Sequence, residues 1–247
     1  YSCNLAEYCR IHNEALVVPG VVRQICKAWR QQERRAGVRI KPKPTLAASS
    51  LARFLKIESS SDPWHSCCLA VCVMAFFGLA RLGEIISDSP PCWRDLSFDA
   101  HGVATIFLQR SKTDLTRCGA PISVSPEAWS KIVELLGPRS RSREGPIFVS
   151  NSGLGPTKAV FVRWLRNAHA IIGVEPLVGQ AGHSPRRGGA QHLFNTGWSL
   201  DTIKVKGRWA SDSWRKYINL NARVDAGITL KDPFIGILRR GVTPLLQ

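Results

Sequence analysis

Beyond position 8, the 247-residue chain contains a single tyrosine, Tyr217, in the stretch GRWASDSWRKYINLN. A phenolic hydroxyl can attack phosphorus and hold it as a covalent ester. With an ordinary pKa near ~10 it is a weak nucleophile at neutral pH, so it needs cations around its target. The stretch HSPRRGGAQHLFNTGW has residues of that kind: His183 and Arg186 stand three positions apart, flanking Ser184-Pro185. Ser184 is a good N-cap and Pro185 suits the first helical position, so a helix is expected over 184–195, with Gly197 as its stop. Cations at a helix mouth oppose the helix dipole. They make sense there if a phosphate is the expected visitor.

Two further stretches carry chemistry. FFGLARLGEII is read as the end of an apolar helix, with Arg81 at its close and Glu84 one turn later; alone, the pair is an ordinary i,i+3 salt bridge. QRSKTDLTRCG places Lys112 in a hairpin, where a flexible ammonium could protonate a leaving group. Singly, each feature has a plain structural explanation, and Tyr217 by itself reads as a half-buried tyrosine. Taken in order, Arg81-x-x-Glu84, Lys112, His183-x-x-Arg186, Trp209 and Tyr217 resemble the catalytic domain of the tyrosine recombinases (phage integrases) over roughly residues 45–225. GHSPRRGGAQHLFNTGWSLDTIKVKGRW is similar to Cre-type recombinases and to the DNA breaking-rejoining enzymes of Crypton and DIRS-type mobile elements.

The resemblance implies a role for each residue. Arg81 and Arg186 would grip the scissile phosphate with their forked donors. His183 would hydrogen-bond it and help proton transfer, and Lys112 would protonate the departing 5′ oxygen. Trp209 stands where the family has His or Trp, a ring N–H beside the phosphate. Tyr217 would form the 3′-phosphotyrosyl bond, and Glu84 would support the first arginine. The resemblance implies no metal and no other cofactor, because the phosphotyrosine conserves the bond energy for religation. It also implies a homo-tetramer on two double-stranded DNA sites, each protomer passing a C-terminal segment to its neighbour. Leu230–Arg240, with Phe234, Ile235 and Leu238 as anchors, is the candidate segment. Trp209 to Tyr217 spans eight positions, one fewer than in Cre-type members. Either the tyrosine is turned from the phosphate or the loop absorbs the difference.

The elements that must position these residues are mostly helical. Helices are expected near Ser50–Ile57, over Pro63–Leu79, from Ser125-Pro126 to Gly137, over Lys158–Ile172, over Leu200–Lys206 and over Asp212–Leu220. Phe161, Trp164, Leu165 and Ala168 form the expected core stripe of the fourth. Strands are expected over Val103–Gln109 and Ala120–Ser125, paired as a wide hairpin, and at PIFVS. The fold class is α+β, mainly α: a tyrosine recombinase catalytic fold with a small antiparallel sheet. The Pro-rich KPKPTLAASS marks a boundary, so residues 1–44 read as the end of a helical, SAM-like core-binding domain with a basic linker, and 45–247 as the catalytic domain. Arg30, Arg34, Arg35, Arg39, Lys41 and Lys43 of that linker are candidate DNA contacts, as is Arg187; a solvated linker helix is the alternative for the first six.

Composition agrees with a nucleic-acid partner. Lys and Arg number 34 against 18 Asp and Glu, a net charge of +16, and phosphate neutralisation with counterion release rewards such an excess. The apolar run Cys67–Ala80 is too short to span a bilayer, so no membrane partner is expected. Eight cysteines without a C-x-x-C pair read as buried hydrophobes of a reducing, intracellular compartment, the nucleus if the host is a eukaryote. Two other functions fit the same features. Ala190–Gly207 could serve a silent, domesticated regulator as a helix-turn-helix, and a type IB topoisomerase would share the chemistry.

Overall fold

The computed structural model describes residues 44–57, 62–109, 119–138, 142–175 and 182–219, with Gln24, Ala28 and Gln32 as isolated helical positions. The chain divides into two units, Tyr1–Pro42 and Lys43–Gln247; the elements that follow belong to the second. In order they are α1 (Ala48–Phe54), α2 (His65–Phe77), α3 (Leu82–Ile85), a 3-10 turn (Trp93–Asp95), β1 (Leu96–Phe98), β2 (Ala104–Leu108), β3 (Ala120–Val124), α4 (Pro126–Leu136), α5 (Lys158–Ile171), α6 (Ser184–Asn195), α7 (Leu200–Lys206) and a second 3-10 turn (Asp212–Lys216).

Helix α2 is the centre of this unit. Its sequence HSCCLAVCVMAFF is apolar on every side, which only a fully enclosed helix tolerates, and it packs against α4 and α6, with α3 and α5 also in contact. Cys67, Cys68 and Cys72 lie inside it, as expected of small hydrophobes; burial pushes the Cys68 and Cys72 thiols up and keeps them unreactive. The sheet runs β1-β2-β3, antiparallel throughout, with Leu96 opposite Ile106 and Ile106 opposite Ile122. Ala104, Ile106, Leu108, Ile122 and Val124 face the core, while Phe107 points out. The strand pair expected around the hairpin is present, and β1 adds a third strand; the hairpin tip that carries Lys112 lies outside the described residues.

Three other expected elements differ. Helix α2 stops at Phe77, because Gly78 packs against Ile122 (2.6 Å from where its Cβ would lie) and Leu79 then takes a positive φ of 47°. Arg81 therefore does not close the apolar helix; it is the N-cap of the separate α3. PIFVS forms no strand: Pro146 makes one isolated bridge to Cys92, and Ile147 N–H donates to the Pro91 carbonyl at 3.0 Å. The expected helix over 212–220 is a 3-10 turn that ends at Lys216.

The remaining helices follow their local signals. Ser125 accepts from the Ala128 N–H and caps α4, and Thr157 caps α5 through Val160. Phe161, Trp164, Leu165 and Ala168 are buried on one face of α5, as expected. Helix α6 begins at Ser184, so His183 holds the N-cap position; Ser184 instead donates its hydroxyl to the Pro44 carbonyl at 3.1 Å. Leu79, Ala190, Phe194, Ile203, Trp209, Trp214 and Ile218 form a second apolar cluster, with Tyr217 at its edge. Among the described residues no helix is long and apolar enough to cross a membrane.

Candidate active site

The tight approach of α6 to α2 sets the position of Arg186. Gly189 faces α2 so closely that a Cβ would collide with the Phe76 carbonyl oxygen, and Gly188 lies as close to the Leu46 carbonyl oxygen, just before α1. One turn earlier, Arg186 is driven into the interior and is 0% exposed. Its Nη2 donates to the Gly207 carbonyl at 2.6 Å, while Nε and Nη1 are buried without a protein partner. Burial first, then the charges of Arg81 and Arg208, pull its pKa down to about 10, so it stays cationic at neutral pH.

Aromatic rings cover this guanidinium. Its Cζ lies 4.7 Å from the centre of the Trp209 ring and 5.6 Å from that of Tyr217; the two rings are 5.1 Å apart. Arg187 approaches Tyr217 as well, at 5.4 Å, while its Nη1 donates to the Pro44 carbonyl at 3.4 Å. Gly207 ends α7 and lies so close to the Trp209 ring that no side chain would fit there. The 3-10 turn then delivers Tyr217 as its C-cap residue, half-buried.

A second group stands on α3. Arg81 Nη1 donates to Glu84 Oε1 at 2.7 Å, and the Arg81 backbone N–H donates to Oε2 at 2.8 Å. The expected i,i+3 ion pair is thus present, but as a capping box. Glu84 Oε2 also accepts from Arg208 Nη2 at 2.7 Å. Burial would push the Glu84 carboxyl up; Arg208 and then Arg81 outweigh it and hold the group below its ordinary range.

The structure therefore brings Arg81, Glu84, Arg186, Trp209 and Tyr217 into one region, linked through Gly207–Arg208. His183 stands at the mouth of α6 with an exposed side chain. Lys112, and the candidate DNA contacts Arg30, Arg34, Arg35, Arg39, Lys41 and Lys43, lie outside the described residues. Arg208 was not singled out from the sequence. The short interval before Tyr217 was its signal, since Arg208 lies nine positions upstream where Trp209 lies eight.

No family model and no curated protein matches the chain. Solved structures do. The XerH site-specific recombinase bound to its difH substrate aligns at a TM-score of 0.55 and 16% identity, over 75% of this chain and 53% of that one. The fold is that of a tyrosine recombinase catalytic domain. XerA recombinase aligns with it at a TM-score of 0.53 and 18% identity over 84% and 75% of the two chains. A lambda integrase bound to a core site aligns at 0.51 and 17% over 83% and 72%. The chain thus matches about half the length of XerH.

Proposed function

We propose that this protein cuts and rejoins double-stranded DNA at specific sites through a covalent bond to Tyr217, as a Cre-like recombinase of the kind carried by mobile elements. The observation that carries this reading is the placing of Tyr217 against two buried arginines, Arg186 and Arg187, on a recombinase fold. In the proposed reaction a backbone phosphate enters between Arg81 and Arg186, whose guanidinium donors neutralise its non-bridging oxygens. The unpartnered Nε and Nη1 of Arg186 supply donors for that role. The Tyr217 hydroxyl attacks phosphorus, and the bond to the 5′ oxygen breaks as the tyrosyl ester forms. His183 assists the transfer of the phenolic proton, and Lys112 protonates the leaving oxygen. In the reverse step a 5′ hydroxyl attacks the ester and releases Tyr217. Trp209 packs its ring on the Arg186 guanidinium, and Glu84 keeps Arg81 oriented. Exchange between two duplexes would use a homo-tetramer.

A pool of random-sequence duplexes, each nicked so that the cleaved end diffuses away, tests the reading. The wild-type protein is expected to form a DNA adduct that survives denaturing electrophoresis, and Tyr217→Phe to form none. Salt-dependent binding without any adduct would instead identify a silent DNA-binding regulator.

A further inference from the structure

The group around Glu84 contains one arginine more than the reaction above employs. Arg208 reaches it from the far end of α7, 124 positions along the chain, and takes Oε2 at 2.7 Å while Arg81 takes Oε1 at the same distance. Its other contacts are longer, 3.4 Å from Nη1 to the Pro121 carbonyl and 3.5 Å from Nη2 to the Leu79 carbonyl. Arg208 thereby ties together the end of α2, helix α3 and strand β3. Leu79 and Arg208 are the two non-glycine residues of positive φ among the described residues, at 47° and 54°. Each holds a backbone conformation that side-chain-bearing residues seldom adopt.

The electrostatics point the same way. An exposed carboxylate paired with a single arginine gains little and rotates freely. Glu84 is instead buried, and a guanidinium engages each of its oxygens, so its plane has little freedom and neither does that of Arg81. Arg186 feels the charges of both Arg81 and Arg208. Two guanidinium groups therefore hold one carboxylate, and Arg186 adds a third positive charge within range of theirs, an excess suited to an incoming phosphate.

We propose that Arg208 is a positioning residue for strand cleavage: by sharing Glu84 it fixes the Arg81 guanidinium for the phosphate. The inference rests on the strand-cleaving reading of the site. It is tested by the rate of Tyr217–DNA adduct formation at saturating nicked duplex, measured beside DNA affinity, in Arg208→Gly, Glu84→Gln and the double variant. Glycine suits the left-handed backbone at 208, which spares the fold. Each single change is expected to slow adduct formation about 10- to 100-fold, as loss of an orienting partner does, with affinity held within about threefold. The double variant should be no slower than the slower single one, since both act through one group. Arg208→Lys keeps the charge without the fork and should recover part of the rate; it also carries the test if the glycine variant loses its cooperative unfolding transition. An Arg208→Gly rate equal to wild type, or losses that multiply in the double variant, would overturn the proposal. A wild-type protein that forms no Tyr217-dependent adduct would overturn the reading beneath it.

Discussion

Arg186 has the signature of a residue kept for function at the expense of stability. A fully buried guanidinium with two unpartnered donor atoms bears a desolvation cost that one bond to Gly207 and two stacked rings do not offset. The sign follows from its pKa, held at about 10 in the folded chain and higher when unfolded. Below pH 10 both states carry the proton and the folded state bears the full cost of its charge. That cost is relieved only as pH rises through 10, so the charge works against folding across the neutral range. Arg186→Met should therefore abolish adduct formation and yet raise stability at pH 7 by about 1–3 kcal/mol. A urea-unfolding midpoint that fell in this variant would mean that the guanidinium holds the fold together.

At the scale of elements, the packing of α6 on α2 decides where that arginine lies. Gly189→Ala gains about 1 kcal/mol of helix propensity, but its methyl group meets the Phe76 carbonyl oxygen. Prising the helices apart costs about 3 kcal/mol or more, so the net change is a loss of at least about 2 kcal/mol, read from the thermal midpoint. Displacement of Arg186 should reduce adduct formation at the same time. Local signals made much of this arrangement legible. Ser125-Pro126 opens its helix where capping chemistry says it should, α7 ends at Lys206 as expected, and the α5 stripe is buried at the expected residues. The departures come from tertiary contacts that periodicity does not carry. Gly78 ends α2 because a strand lies against it, and Ser184 leaves the capping role because the Pro44 carbonyl needs its hydroxyl. Arg208 stayed hidden because its partner lies 124 residues away. The order of Arg81, Glu84, Arg186, Trp209 and Tyr217 in the chain was legible, as was the Arg81–Glu84 pair, but the share of Arg208 in it was not.

Across the whole molecule, a charge of +16 would set the form of the proposed DNA binding. If the basic residues neutralise six to ten phosphates, affinity should fall about 10³- to 10⁵-fold between 50 and 200 mM salt, with little dependence on sequence in that electrostatic part. Titrations of labelled duplex at several salt concentrations would give the slope, and a flat response would argue against phosphate contacts as the main source of affinity. Binding alone, however, does not separate an enzyme from a regulator built on the same recombinase fold. The decisive measurement is the chemical identity of the protein–DNA bond. After nuclease trimming and proteolysis of the adduct, mass spectrometry should find the nucleotide on the peptide containing Tyr217, joined through a 3′ phosphate. A nucleotide attached to another residue, or joined through a 5′ phosphate, would contradict the account.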